Sequence, residues 1–118
     1  MLDERAFSER LKTDNQKTFL KMIEDYEKSI APSMRAQGFK RINQKERTVI
    51  FSFGEMTFSR SRWKKGDTVR IPVDEKLGLE PRSRFSQELL CQITRLSNYM
   101  PYRKVVEVME LLKSIYIT

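Results

Sequence analysis

The stretch RTVIFSFGEMTFSRSRW, residues 47–63, constrains the fold more than any other segment of this chain. Val49, Phe51 and Phe53 alternate with polar or smaller residues on one side of Gly54-Glu55, and Met56 and Phe58 alternate on the other, which is the period of two strands in a hairpin. Gly54, placed first in a two-residue connection, supplies the positive φ that a type II′ turn needs. That register sets Phe53 opposite Met56, Phe51 opposite Phe58 and Val49 opposite Arg60. Strands are expected over 47–53 and 56–63. After the turn "KKGD", Val69, Ile71 and Val73 alternate in a third strand, 68–73, with Pro72 near an edge or a strand end. The hairpin then changes character. Arg60 and Arg62 follow Phe58 on what alternation makes the same face, and Trp63, Lys64 and Lys65 come next, so one face passes from apolar to basic along a single strand.

Helical periods flank this β segment. From Asp14 to Arg35, Phe19, Met22, Ile23, Tyr26, Ile30 and Met34 recur at steps of three and four, with Asp14 as N-cap and an end between Ala31 and Gln37 set by Pro32 and Gly38. A pattern of Leu2, Phe7 and Leu11 adds a turn or two before it. Beyond the strands, Pro81 and Ser83 are start signals for a helix with Phe85, Leu89, Leu90, Ile93 and Leu96 inward. Pro101 opens another with Tyr102, Val105, Val106, Met109 and Leu112 inward. Their short "SNYM" connection suits a helical hairpin or the first half of a helix-turn-helix. The expected fold class is α+β in one domain, 1–118: a helical segment over 1–39, a basic three-stranded antiparallel meander over 40–73, and a C-terminal helical pair over 74–118.

Several chemistries are excluded by composition. The chain has no histidine and one cysteine, Cys91, so it can build neither a Ser-His-Asp nor a Cys-His arrangement, nor a thiolate cluster. The carboxylates sit among lysines at helical spacings, as Glu24, Asp25 and Glu27 do near Lys21 and Lys28. No catalytic residue, metal site or cofactor is expected, and no independent enzymatic activity. Absence of a signal-like or membrane-spanning apolar run, with a single cysteine, points to a cytoplasmic protein without a membrane partner.

Charge singles out the β segment. Residues 1–39 hold seven basic and seven acidic side chains, whereas residues 40–70 hold nine basic against three acidic, which is nearly all of the chain's net +7. Such concentration is the footprint of a surface that meets a polyanion. Arg60, Arg62, Trp63, Lys64, Lys65 and Arg70 are the candidate DNA-binding residues, with Trp63 either stacking on a nucleotide or packing against an arginine. The alternative partner is a second copy of the chain, with the 14–35 helix and the exposed portion of the sheet forming a homodimer.

The order of three blocks resembles the N-terminal region of a bacterial insertion-sequence transposase family of the ISLre-two type. Gly54, Met56, Phe58, Arg60 and Trp63 occupy its strand-pair motif. Asp74, Glu75, Leu77, Gly78 and Leu79 match its "D-E-x-L-G-L" stretch. Arg84 and Ser86 lie at or near its "R-x-S", and Met100, Tyr102 and Arg103 match the opening of its next helix. Pro101 stands where the family has serine, and Val105 and Val106 replace an Ala-rich pair. The resemblance covers residues 40–118 and implies binding to transposon ends. It also implies that the last helix is the early portion of a helix-turn-helix, with the recognition helix and a ribonuclease-H-like, metal-dependent catalytic domain beyond Thr118. On that basis the chain is expected to be a truncated or degenerate transposase, without catalysis of its own.

Overall fold

The computed structural model describes residues 3–113 and Ile115. Its elements run α1 (Glu4–Ala36), β1 (Lys40–Phe51), β2 (Gly54–Lys65), β3 (Thr68–Arg70), α2 (Pro72–Lys76), α3 (Gln87–Ser97) and α4 (Tyr102–Lys113). The strands form one sheet in the order β1-β2-β3, with β2 and β3 antiparallel through Trp63–Arg70, Lys64–Val69 and Lys65–Thr68. This is the expected α+β architecture. The chain divides into two compact units, one of residues 1–45 and 58–73, the other of 46–57 and 74–118, so each long strand contributes to both.

In the first unit α1 is longer than its central stripe predicts. Asp3 is the N-cap and accepts from the Arg5 amide at 3.1 Å, while Asp14 lies inside the helix. Nothing between Phe7 and Asp14 breaks the backbone, and the Thr13 hydroxyl donates to the Glu9 carbonyl one turn back, so the short leading pattern and the main stripe merge. Leu2 of that pattern lies outside the described residues. Pro32 is absorbed in the last turns. The helix then ends in a Schellman motif: the Gly38 amide donates to the Arg35 carbonyl and the Phe39 amide to the Met34 carbonyl, both at 3.0 Å. Gly38 takes φ +90°, which L side chains disfavour. Phe39 and Met34, brought together by this motif, form a buried cluster with Trp63, against which Ile30 and Ala31 pack.

The β register differs from the sequence-based one. β1 ends at Phe51 and β2 begins at Gly54, so the connection is Ser52-Phe53, two residues earlier than expected. Gly54 does have positive φ, at +131°, but as the first strand residue after the turn. Accordingly Thr48 and Thr57 are cross-strand neighbours, with hydroxyl oxygens 2.8 Å apart, and Phe53 is a turn residue stacked on Phe51 at 5.1 Å. The third strand is shorter than predicted because Pro72 begins α2: a proline that cannot continue a ladder is suited to a first helical turn.

In the second unit Ile50, Leu89, Val105, Met109 and Ile115 form the buried centre, with Phe85, Ile93, Leu96, Met100 and Val106 against it. α3 starts later than Pro81 and Ser83 suggest. Ser86 is its N-cap, and its hydroxyl accepts from the Leu89 amide at 3.2 Å. The residues before it serve the sheet instead. The Ile50 amide donates to the Arg84 carbonyl and the Ser86 amide to the Ile50 carbonyl, a parallel bridge of Ile50 with Phe85. α3 and α4 form the expected helical pair, although Leu90, Tyr102 and Leu112, expected inward, are exposed.

Candidate nucleic-acid interface

Why the hairpin ends in arginines is answered by a change of phase. The buried positions of β2 are Gly54, Met56 and Phe58, and then Ser61 and Trp63. One step of three interrupts steps of two, as happens when a β-bulge inserts a residue and turns the following side chains over. Phe58, Ser61 and Trp63 all meet α1: Phe58 stands edge-on to Phe19 at 5.7 Å, the Ser61 amide donates to Glu27 Oε1 at 2.8 Å, and Trp63 packs on Met34. Arg60 and Arg62 therefore do not share the face of Phe58, as simple alternation predicts. With Lys64 they alternate with Ser61 and Trp63 and project to the other side of the sheet.

The six candidate residues separate into two groups. Arg60, Arg62 and Lys64 form a row on the side away from α1, joined there by Val69, the partner of Lys64 and 43% exposed. Arg60 is held by a hydrogen bond from Nη1 to the Lys45 carbonyl at 2.9 Å. The side chains of Arg62 and Lys64 have no hydrogen bond or ion pair among the described residues. Lys65 and Arg70 are turned toward the end of α1. Lys65 Nζ donates to the Gln37 carbonyl at 2.8 Å and Arg70 Nη1 to Gln37 Oε1 at 3.3 Å, and the two cations stand 5.9 and 5.6 Å from the centre of the Phe39 ring. They tie the sheet to the C-cap of α1. Trp63 is 2% exposed, and the Arg35 guanidinium lies 5.9 Å from its ring centroid. Of the two roles open to Trp63, packing against an arginine is the one found; its ring is not available for stacking on a base.

One further cation of the basic segment is not part of the surface. Arg47 contributes to the basic excess of residues 40–70, but its guanidinium is used internally. Nη1 pairs with Asp74 Oδ2 at 3.0 Å, and Nη2 donates to the carbonyls of Glu80 and Ser83 at 2.6 and 2.9 Å. Asp74 is 8% exposed. The "DEKLGL" stretch is thus a structural corner of the second unit. No composition signal separates such an arginine from a solvent-facing one; its position beside the buried run Val49-Ile50-Phe51 is the only hint.

A basic row on the open side of a small sheet defines a class, an α+β domain with a cationic strand, rather than an activity. Comparison with known proteins narrows it. The chain is 33% identical over 91 residues, 76% of its length, to a Streptococcus gallolyticus protein described as "UPF0236 protein in vanSb 3'region". It spans 20% of the length of that relative. No family model matches the chain, and no solved structure matches it. Among the described residues no helix is long and apolar enough to cross a membrane.

Proposed function

We propose that this chain is the DNA-binding N-terminal region of a transposase of the ISLre-two type, and that it engages the phosphate backbone of transposon ends. The observation that carries the reading is the row Arg60, Arg62 and Lys64, in which the side chains of Arg62 and Lys64 have no partner among the described residues. Clustered like charge repels itself unless an anion neutralises it. Successive side chains on one face of a strand are roughly 6.6 Å apart, a spacing that lets three cations reach along a phosphate chain. Contacts of this kind position a protein without reading sequence. The similarity to the Streptococcus gallolyticus protein, and the order of the "DEKLGL" and "YR" blocks, support the family assignment.

On this reading α3 and α4 are the early portion of a helix-turn-helix, and the strand row positions the protein on DNA without reading bases. The "SIYIT" terminus on which that expectation rests lies, Ile115 apart, outside the described residues. Titration of the chain with a fluorescently labelled duplex at several salt concentrations tests the proposal. Binding that weakens steeply with salt and is lost in the Arg62→Ala, Lys64→Ala double variant is expected; binding indifferent to salt, or unchanged in that variant, refutes it.

A further inference from the structure

On the α1 side of the sheet, opposite the basic row, lies a groove of about 440 Å³. α1 contributes Glu24, Glu27, Lys28 and Arg35 to its walls, and the strands contribute Arg41, Gln44, Ser61 and Trp63. Two carboxylates also line it: Glu24 pairs with Lys28 at 3.1 Å, and Glu27, whose charge no cation among the described residues neutralises, accepts from the Ser61 amide at 2.8 Å, so the lining is two acidic against three basic side chains. Neither the Arg35 nor the Arg41 side chain makes a hydrogen bond or ion pair among the described residues, and Arg35 is held over the Trp63 ring only by its cation–π contact. Trp63, which lines the groove, has a buried Nε1–H with no acceptor among the described residues. An indole nitrogen can only donate, and a buried donor without an acceptor is costly.

Two guanidinium groups and an indole N–H that all lack acceptors converge on one requirement. We propose that this groove is a second anion site, distinct from the strand row, that takes a tetrahedral oxyanion of the phosphate type. Arg35 and Arg41 supply charge-assisted hydrogen bonds to its oxygens, and Trp63 Nε1 donates to an oxygen that a small opening of the groove admits. The phosphate is either free or belongs to a nucleic acid chain, and in both cases the recognised group is the same.

Trp63 is the single tryptophan of the chain, so its emission reports on the groove directly. Inorganic phosphate is titrated into the protein at constant ionic strength, with sodium chloride as the balancing salt. A saturable change in Trp63 emission is expected, weakened roughly tenfold in Arg41→Ala, whose side chain is exposed and whose loss leaves the fold intact. Trp63→Phe keeps an aromatic ring and removes the donor; phosphorus NMR line broadening by this variant should also fall. Where that variant does not fold, the Arg41→Ala comparison still decides. An unlabelled duplex that displaces phosphate identifies nucleic acid as the source, and a duplex that does not displace it identifies a free phosphate. No saturable change, the same change with chloride alone, or full affinity in Arg41→Ala overturns the site. Because the strand row is read by salt-dependent duplex binding in Arg62→Ala, Lys64→Ala, either site can fail while the other stands.

Discussion

Arg47 and Asp74 meet at 3.0 Å with side chains only 10% and 11% exposed, and the same guanidinium closes on two carbonyls of the loop before α3. Removing one partner of a nearly buried pair leaves the other charge without compensation. Arg47→Ala should therefore destabilise the protein by about 3–5 kcal/mol, and Asp74→Asn by less because the amide oxygen still accepts. Urea denaturation of both variants checks this. The same measurement speaks to chemistry: if Asp74 served a bound metal rather than Arg47, Asp74→Asn would leave stability unchanged.

Phe58 and the pair Arg62 and Lys64 lie within one strand and should respond oppositely. Phe58 is 2% exposed and stands against Phe19, so Phe58→Ala should cost about 3–5 kcal/mol and lower Tm sharply. Arg62→Ala with Lys64→Ala should leave Tm nearly unchanged and weaken duplex binding. Thermal melts and binding isotherms on the same preparations compare them. Equal loss of stability in both variants would show that the basic row is structural.

Salt provides a quantitative check on the open face. If Arg60, Arg62 and Lys64 neutralise about three phosphates, log affinity for duplex DNA should fall with log salt at a slope of about −3. Arg62→Ala alone should make the slope shallower by about 1.

Gly38 closes α1 at φ +90°, and a Cβ there would stand 3.4 Å from Lys65 Cε. Gly38→Ala should cost about 1–2 kcal/mol from the backbone alone. A lower urea midpoint with unchanged slope is the expected readout. If the midpoint does not move, the Schellman ending is not rigid in solution.

Much of the architecture was legible in the sequence because periodicity is a local signal. Most of the stripe of α1, the presence of three strands, most of the inward positions of α3 and α4, and the stop at Gly38 follow from spacing; Met22 of that stripe is 65% exposed, and β1 begins at Lys40, in a polar run that carries no alternation, rather than at residue 47. What failed was local phase. The turn lies at Ser52-Phe53 rather than Gly54-Glu55, since a glycine with positive φ serves as well just inside a strand as within the turn. The step of three in the burial pattern between Phe58 and Ser61 was invisible because nothing in the composition marks it, yet it separates Arg60 and Arg62 from the buried face. Alternation places Pro72 at the end of a strand, but it belongs to the first turn of a helix, where its missing amide is unneeded. The candidate site was legible as a charge cluster but not as a surface. Trp63, Lys65, Arg70 and Arg47 all carry the right chemistry, and only tertiary packing turns them inward or toward α1, leaving Arg62 and Lys64 as its uncommitted members.

The bridge between Ile50 and Phe85 can close only after both of its partners have been synthesised. Strand β1 is made early, but the Arg84 carbonyl and Ser86 amide that satisfy Ile50 are added roughly 35 residues later, on the order of 2–7 s at ordinary elongation rates. Until then the nascent chain carries an apolar strand, Val49-Ile50-Phe51, with an open edge. Its neighbours Lys45, Glu46 and Arg47 supply charge at that edge, which discourages pairing with another nascent chain on the same messenger. Arg47 would then act twice: as a guard while the strand waits, and as the clasp on Asp74 once residues 74–86 have emerged.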